Sequence, residues 1–246
     1  MAAPQRFSNG VTNVGTQNPF AQLGMLDPTR FHVFMEDFNR FDPGDWKVSR
    51  SEPQAPTSGY TQSYEEIGDG RYGVLSVVTP VEDDSYTWIQ YGQDAYNTVY
   101  GEKFTLGDKK VWFKSRFKTN DADTCTVKVG LTVIDQTAPI ETINADGLWF
   151  YSLDGTANLD FYTYKSSVAT ISDTALTTLT DDTFLTVSFY WDGSSNILYY
   201  VDDKLEGSAS TSGQPTTELT PSFGIMNGSA AASTLSMDYI CVIEER

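Results

Sequence analysis

The sequence predicts an all-β protein in which antiparallel strands form a sandwich of two sheets, preceded by an extended N-terminal arm. Apolar and polar residues alternate with a period of two in many short segments, which is typical of strands with one buried face. Clusters of turn-forming residues separate these segments, and no window of about 11 residues has a convincing helical period. About twelve short strands without intervening helices favour two packed antiparallel sheets over a parallel sheet.

The first 30 residues are the predicted arm. Turn-forming pairs such as Asn9-Gly10, Asn18-Pro19 and Asp27-Pro28 interrupt it, and its apolar residues are spaced too irregularly for a helix face. We expect six residues to contact a partner protein: Arg6, Phe7, Phe20, Leu23, Met25 and Leu26. A floppy tail and a strap over the chain's own domain are the alternatives. Residues 31–246 are the predicted sandwich domain.

The strands follow in order along this domain. The first begins at Phe31, and further strands are predicted at residues 72–79, 110–118, 125–134, 148–153 and 159–165. Two runs rich in β-branched and aromatic residues then flank residues 192–196, whose sequence DGSSN is typical of a hairpin turn. The Thr-rich stretch at residues 171–183 favours a strand or loop over a helix.

Two strands give explicit predictions of which residues share a face. In residues 110–118, a core face of Val111, Phe113, Ser115 and Phe117 alternates with a solvent face of Lys110, Trp112, Lys114, Arg116 and Lys118. In the last strand, one face is predicted to hold Leu235, Met237, Tyr239, Cys241 and Ile243, and the other Asp238, Ile240 and Val242.

Charge and cysteine usage exclude several classes of partner. The net charge is −17 and the isoelectric point is near 4.2, so the field of the protein repels a phosphate backbone and nucleic acid is not expected as a partner. No apolar region of a signal peptide and no membrane-length apolar segment is present, so we expect a chain made in the cytoplasm. Cys125 and Cys241 lie in strand-like segments and are expected to be free thiols.

The residues required for common enzyme chemistry are scarce, and we expect no catalytic activity. His32 is the only histidine, which leaves no base for a serine or cysteine nucleophile elsewhere and no His-rich zinc site. The E-x-D-x-E spacing that places glycosidase carboxylates on one strand face is absent. A glycosidase that assembles its carboxylates from different strands remains an alternative.

No cofactor is expected, although acidic pairs leave bound calcium as a minor alternative. The pairs are Asp121 with Asp123, Asp181 with Asp182, and Asp202 with Asp203, and none has EF-hand spacing. Aromatic residues expected at an exposed edge could stack on sugar rings: Trp88, Tyr91 and Tyr96, with Tyr100. Filling of the core or an interface is the alternative role for these rings.

Three segments resemble the concanavalin A-like lectin and glucanase jelly roll, including its laminin-G-like forms. They are the opening MEDFNRFDPGDWKV, the hairpin FYWDGSSNILYYVDDKLEG and the closing MDYICVIEER. The stretch from the start of the first segment to the end of the last covers most of the chain. The resemblance implies a jelly-roll sandwich in which the last strand pairs near the first.

A second resemblance concerns the front of the chain, where RFSNGVTNV followed by DPTRFHVFMEDF resembles virion proteins of tailed bacteriophages, particularly podoviruses and cyanophages. It implies a decoration or cement protein on the capsid surface, attached through the arm to the major capsid protein or other virion proteins, and a homo-oligomer. This is the leading functional prediction. The alternative is a carbohydrate-binding, lectin-like module on a phage appendage.

Overall fold

The computed structural model describes residues 19–23, 26–42, 44–51, 60–67, 70–92, 103–134, 140, 146–210 and 213–246. Within these ranges the chain forms one 3-10 helix, Pro19–Gln22, and fifteen strands. The strands are β1 Phe31–Glu36, β2 Trp46–Arg50, β3 Tyr60–Ile67, β4 Gly70–Val78, β5 Tyr86–Tyr91, β6 Val111–Thr119, β7 Cys125–Thr132, β8 Gly147–Ser152, β9 Asn158–Lys165, β10 Val168–Thr178, β11 Leu185–Trp191, β12 Asn196–Val201, β13 Lys204–Ser210, β14 Thr220–Asn227 and β15 Thr234–Glu245.

The strands form two antiparallel sheets, which confirms the predicted sandwich. The eight-stranded sheet has the order β13-β12-β11-β6-β15-β4-β3, and β1 joins it by pairing with β15. The seven-stranded sheet has the order β10-β9-β8-β7-β14-β5-β2. The last strand is long enough to pair with β4 through its first half and with β1 through its second half. The first and last strands therefore lie side by side, as the jelly-roll resemblance implies.

The core between the sheets consists of the inward residues of both. Val111, Phe113 and Phe117 of β6 are buried in it as predicted, and the ring of Phe113 stacks on Phe189 of β11 at 4.8 Å. From the other sheet, Phe161 packs against Phe189 at 5.9 Å. Rings of this size bury large apolar areas, so the aromatic-rich composition accounts for much of the core.

The predicted solvent face of β6 is partly exposed at its four basic residues but buried at Trp112. Trp112 is only 5% exposed, and it packs against Phe20, Leu23 and Ile243 on the outer side of the eight-stranded sheet. The alternation along β6 was predicted correctly. The predicted exposure of Trp112 was wrong because a segment distant in sequence covers this side chain, which a local pattern does not reveal.

The predicted faces of the last strand are correct only for its first half. A register shift between Met237 and Tyr239 in the pairing with β6 marks a β-bulge at Asp238. A bulge inserts one extra residue and exchanges the two faces beyond it. As a result Ile240 and Val242 join the core, whereas Ile243 packs on the outer side of the sheet.

Local turn chemistry explains two further boundaries. The carboxylate of Asp192 accepts hydrogen bonds from the backbone N–H groups of Ser194, Ser195 and Asn196 at 2.8, 2.9 and 3.0 Å, which closes the predicted hairpin between β11 and β12. Before β1, the backbone N–H of Thr29 donates to the Asp27 carboxylate at 2.9 Å. This turn directs the chain into the strand that begins at Phe31, as predicted.

Candidate functional site

The outer face of the seven-stranded sheet carries two rows of side chains in register across five strands. One row consists of Tyr162, Trp149, Gly130, Ser222 and Gln90. The next consists of Asp160, Tyr151, Lys128, Gly224 and Trp88. Side chains at alternate positions of a strand share a face, so these rows lie on the side of the sheet away from the core.

Two tryptophans and a lysine form the centre of this surface. Trp149 stacks on Tyr164 with ring centroids 5.2 Å apart, and the Lys128 ammonium lies 4.0 Å from the Trp149 ring centroid and 5.6 Å from that of Trp88. Both indoles and Lys128 are at most 1% exposed. A cation over an indole face is attracted by the ring quadrupole. We call the surface of Trp88, Lys128, Trp149, Tyr151 and Tyr164 the indole face.

Glycines next to the two tryptophans permit a close approach that a side chain would block. A Cβ atom on Gly224 would lie 2.6 Å from Cε3 of Trp88, and one on Gly130 would lie 2.6 Å from Cα of Trp149. Both distances are far below a normal van der Waals contact, and Gly130 also faces the Leu148 carbonyl. Glycine at a strand interior therefore marks a close approach here.

The indole face and the outward residues beside it contain both satisfied and unsatisfied polar groups. Gln90 donates from Nε2 to Thr132 Oγ1 at 3.0 Å and to Ser222 Oγ at 3.1 Å, and Thr132 donates to Ser222 at 2.9 Å. In contrast, the indole N–H groups of Trp88 and Trp149 have no hydrogen-bond partner among the described residues. Native proteins rarely leave buried donors without a partner, so a water or ligand atom is expected beside each of them.

Titratable groups on this face are few in the described residues. The outward positions of β7 and β8 hold Thr126, Lys128, Gly130, Thr132, Gly147, Trp149 and Tyr151. These two strands therefore offer no pair of carboxylates to a ligand on this side. Burial, followed by the charge of Asp154, raises the pKa of Tyr151 to about 12, so its hydroxyl stays protonated at neutral pH.

The single histidine lies in the other sheet of the sandwich. The His32 ring stacks on Phe104 at 5.1 Å, and its Nδ1 lies 3.8 Å from a Glu244 carboxylate oxygen. His32 and Glu244 lie opposite each other in the pairing of β1 with β15, in the eight-stranded sheet. His32 therefore packs against other residues of the sandwich.

The predicted glycan-contacting aromatics do not form one exposed patch. Trp88 belongs to the indole face but is buried, so the expectation that it is exposed was wrong. Tyr91 points to the opposite side of β5, where it packs on Phe34 at 4.5 Å and on Trp46 at 5.1 Å. Residues three positions apart on a strand face opposite sides. Tyr96 and Tyr100 lie outside the described residues.

Sequence reasoning missed Lys128, Trp149 and Tyr164. The alternation of Gly147, Trp149 and Tyr151 with core residues in β8 predicts a strand but does not show that its second face is also covered.

The predicted arm anchors divide into three groups. Phe20 and Leu23 are 6% and 9% exposed and pack on their own domain, so they follow the strap alternative and not the free-anchor prediction. Leu26 is 37% exposed. Arg6, Phe7 and Met25 lie outside the described residues. We call residues 19–23 the strap.

The strap covers an aromatic seat on the outer side of the eight-stranded sheet. Phe20 contacts the Tyr200 ring edge-on at 6.4 Å and the Lys114 ammonium at 5.7 Å, and Leu23 packs in the same cluster as Trp112. Ser188 pairs in register with both Tyr200 and Lys114, so it lies between them beneath Phe20. We call Trp112, Lys114, Ser188, Tyr190, Tyr200 and Ile243 the seat.

Three polar groups of the seat are buried without a partner among the described residues: Trp112 Nε1, Ser188 Oγ and the Tyr200 hydroxyl. Each such group costs about 1–3 kcal/mol. Burying the side chains of Phe20 and Leu23 contributes about 1.5–3 kcal/mol each. The cost of these three groups therefore offsets a large part of the gain from burying Phe20 and Leu23.

Three of the six carboxylates considered for calcium have protein partners. Asp181 accepts a hydrogen bond from the Ala122 N–H at 2.8 Å, and Asp202 accepts one from the Thr186 N–H at 2.9 Å. Asp203 pairs with Lys114 at 2.6 Å. No cluster of three potential metal ligands occurs among the described residues.

No described helix is long and apolar enough to span a bilayer.

Comparison with known proteins identifies the fold. The carbohydrate recognition domain of Emp47p superposes with a TM-score of 0.59 at 14% identity, over 88% of this chain and 97% of that domain. A β-glucanase of Bacillus licheniformis gives 0.53 at 15% identity, over 85% and 97%. A Shewanella oneidensis protein of unknown function gives 0.56 at 16% identity, over 95% and 97%. No protein-family model and no curated protein sequence matches the chain.

The sandwich thus has the concanavalin A-like jelly-roll fold of lectins and glucanases. Enzymes and non-enzymes share this fold, and the solved structures named above are only 14–16% identical to this chain. The fold by itself therefore does not decide between catalysis and binding.

Proposed function

We propose that this chain is a non-enzymatic, lectin-like protein that binds a glycan at the indole face. The observation that carries the proposal is the pair of indole N–H groups, on Trp88 and Trp149, that are buried without a partner among the described residues. A sugar offers hydroxyl and ring oxygens that accept hydrogen bonds, together with an apolar ring face suited to aromatic side chains. The missing carboxylate spacing on β7 and β8 favours binding over hydrolysis.

The charge of the protein favours a neutral glycan over a polyanionic one. A net charge of −17 repels sulfated or uronate-rich polymers at long range. Lys128 is the cation at the centre of the face, and its ammonium already lies against the two indole rings.

A ligand can reach the indoles only if the packing above them changes. Ile140 packs with Trp88 and Met226 on this side of the sheet and is itself buried. Shortening this side chain is therefore expected to open the approach to Trp88. The Ile140→Ala variant tests accessibility separately from the chemistry of the indole donors.

The test is a glycan array, with neutral β-glucan oligosaccharides included, followed by calorimetric titration of the best ligand. Trp149→Phe keeps a ring but removes the N–H, and a lost hydrogen bond of about 0.5–1.5 kcal/mol weakens binding by roughly 2- to 13-fold. Trp112→Phe is the matched control, because it removes an unpartnered indole N–H from the opposite sheet. Equal losses in both variants, or no glycan bound by the Ile140→Ala chain, would reject the glycan proposal.

A second candidate function is attachment to a virion. The N-terminal segment resembles that of tailed-phage structural proteins, and the docked Phe20 and Leu23 show that this segment can insert large apolar side chains into a surface seat. Under this proposal the chain decorates the capsid surface, and the arm, with the exposed Leu26, contacts the major capsid protein. Many weak contacts on a symmetric shell act together, because each bound site raises the effective concentration at the next.

Co-sedimentation with phage capsids that lack the protein tests this second candidate. The full chain is expected to bind saturably, and a chain without residues 2–30 is expected to stay in the supernatant. The Trp149→Phe variant is the control and should sediment like the unmodified chain. Equal sedimentation of the truncated and full chains would show that the arm does not make the attachment.

A further inference from the structure

We propose that the strap is exchangeable between copies of this chain, so that the strap of one copy occupies the seat of another and links them into an oligomer. This interaction surface is on the eight-stranded sheet, opposite the indole face, and does not depend on glycan binding or on a capsid. The proposed occupant is a second copy of the chain.

The first step of the argument is that the seat already binds this segment. Phe20 and Leu23 are buried against Trp112 and Ile243, and Phe20 also contacts Tyr200 and the Lys114 ammonium. The complementarity between strap and seat is therefore shown by the contacts within one chain. The same contacts made by a strap from another copy would be chemically identical, as in the exchange of an element between protomers.

The second step is that the strap can leave. Trp112, Ser188 and Tyr200 each have a polar atom buried beneath or beside it with no partner among the described residues. Undocking of the strap would bring water to the outer face around these atoms, and their hydration would offset part of the lost apolar contact. A surface segment whose burial gain is offset in this way exchanges more readily than a core element does.

The third step is that the connection is short but sufficient. Seven residues separate Leu23 from Phe31, where β1 begins. A stretch of this length spans up to about 25 Å when extended. The turn at Asp27 is held by hydrogen bonds from Thr29, Arg30 and Phe31 to Asp27. The Arg30 carbonyl also accepts a hydrogen bond from the Arg246 N–H at 2.8 Å, which ties the end of the turn, and not the strap, to the sandwich. The strap can then reach the seat of a copy that lies beside β1, whose described partner in the sheet is β15.

The experiment uses a full chain with Phe20→Ala and Leu23→Ala, which empties the seat, and a fluorescent peptide of residues 16–26. We expect saturable binding of this peptide by anisotropy, at least about tenfold tighter to the emptied chain than to the unmodified chain, whose own strap competes. A peptide carrying the same two substitutions is the matched control and should not bind. Thermal unfolding of the double variant verifies the sandwich, and a chain starting at Gly24 replaces it if folding fails.

Cys241 gives an independent readout, because it packs beside the seat while Cys125 is buried in the core between the sheets. Alkylation of Cys241 should be faster in the emptied chain and slowed again by the peptide, with Cys125 as the internal reference. Light scattering of the unmodified chain should show a mass that rises with concentration, and the emptied chain should remain monomeric. Failure of the peptide to bind the emptied chain, or a monomer for the unmodified chain at every concentration, would overturn the exchange proposal.

Discussion

Thr163 in β9 provides a direct test of whether a buried hydroxyl without a partner destabilises this fold. Its side chain is completely buried, and its hydroxyl has no hydrogen-bond partner among the described residues. Valine has nearly the same shape and the same preference for strands, but no hydroxyl group. Thr163→Val should therefore stabilise the protein, because it removes a group that lost its hydration without gaining a partner.

The expected gain follows from the cost of an unpartnered buried group, about 1–3 kcal/mol. Thr220 is the matched control, because it is equally buried but donates to the Tyr91 carbonyl at 2.7 Å. Thr220→Val removes that hydrogen bond and leaves the carbonyl with one partner fewer, so it should destabilise by about 1–3 kcal/mol. The two variants make the same chemical change and are expected to change the free energy of unfolding in opposite directions.

The assay is urea unfolding of the three proteins, with the midpoint and slope fitted separately. Opposite shifts of the midpoint at an unchanged slope are expected. In thermal unfolding, each kcal/mol corresponds to roughly 2–4 °C for a domain of this size. Destabilisation by Thr163→Val of the same size as by Thr220→Val would refute the reasoning, because it would show that the Thr163 hydroxyl has a partner such as a buried water.

Three further predictions concern turns, close contacts and the seat. Burial raises the pKa of Asp192, but the hydrogen bonds to its carboxylate outweigh this effect and lower the pKa overall. The unmodified chain should therefore be more stable than Asp192→Asn at neutral pH, and this advantage, measured by urea unfolding across pH, should shrink as the pH falls below 3.8. Gly224→Ala should destabilise by more than about 1 kcal/mol in the same assay because its Cβ would meet the Thr87 carbonyl at 2.5 Å, whereas Gly107→Ala, with no atom within 4 Å, should be nearly neutral. Ser188→Ala should raise the unfolding midpoint, whereas Ser115→Ala should lower it, because Ser115 donates to the Tyr239 carbonyl at 2.9 Å.

Features with a local cause were predictable from the sequence. The alternation along β6, the DGSSN hairpin and the start of β1 at Phe31 all depend on neighbouring residues, and all are present. The bulge at Asp238 was not predictable, because both halves of β15 are apolar enough to continue the same alternation. Its position is set by pairing with β6 and β4, which lie far away in sequence.

The candidate site was less predictable than the fold for a related reason. Every residue of β7 is buried, so its sequence does not show which positions face the core and which face the outer side. Lys128 was consequently not recognised as part of a surface, although a lysine in a buried strand is rare unless it has a specific partner. Trp88 was recognised, but its burial depends on side chains such as Ile140 that come from another part of the chain.

The tryptophans distinguish the inside of the sandwich from its outer faces. Trp191 points into the core, and its indole N–H donates to the Gly107 carbonyl at 3.0 Å. Trp88, Trp149 and Trp112 lie on the two outer faces, and each has a buried N–H without a described partner. The donor of Trp191 is therefore satisfied within the core. Unsatisfied donors on the outer faces are expected where binding supplies the missing acceptor, so Trp149→Phe and Trp112→Phe should each impair a different interaction while leaving the sandwich folded.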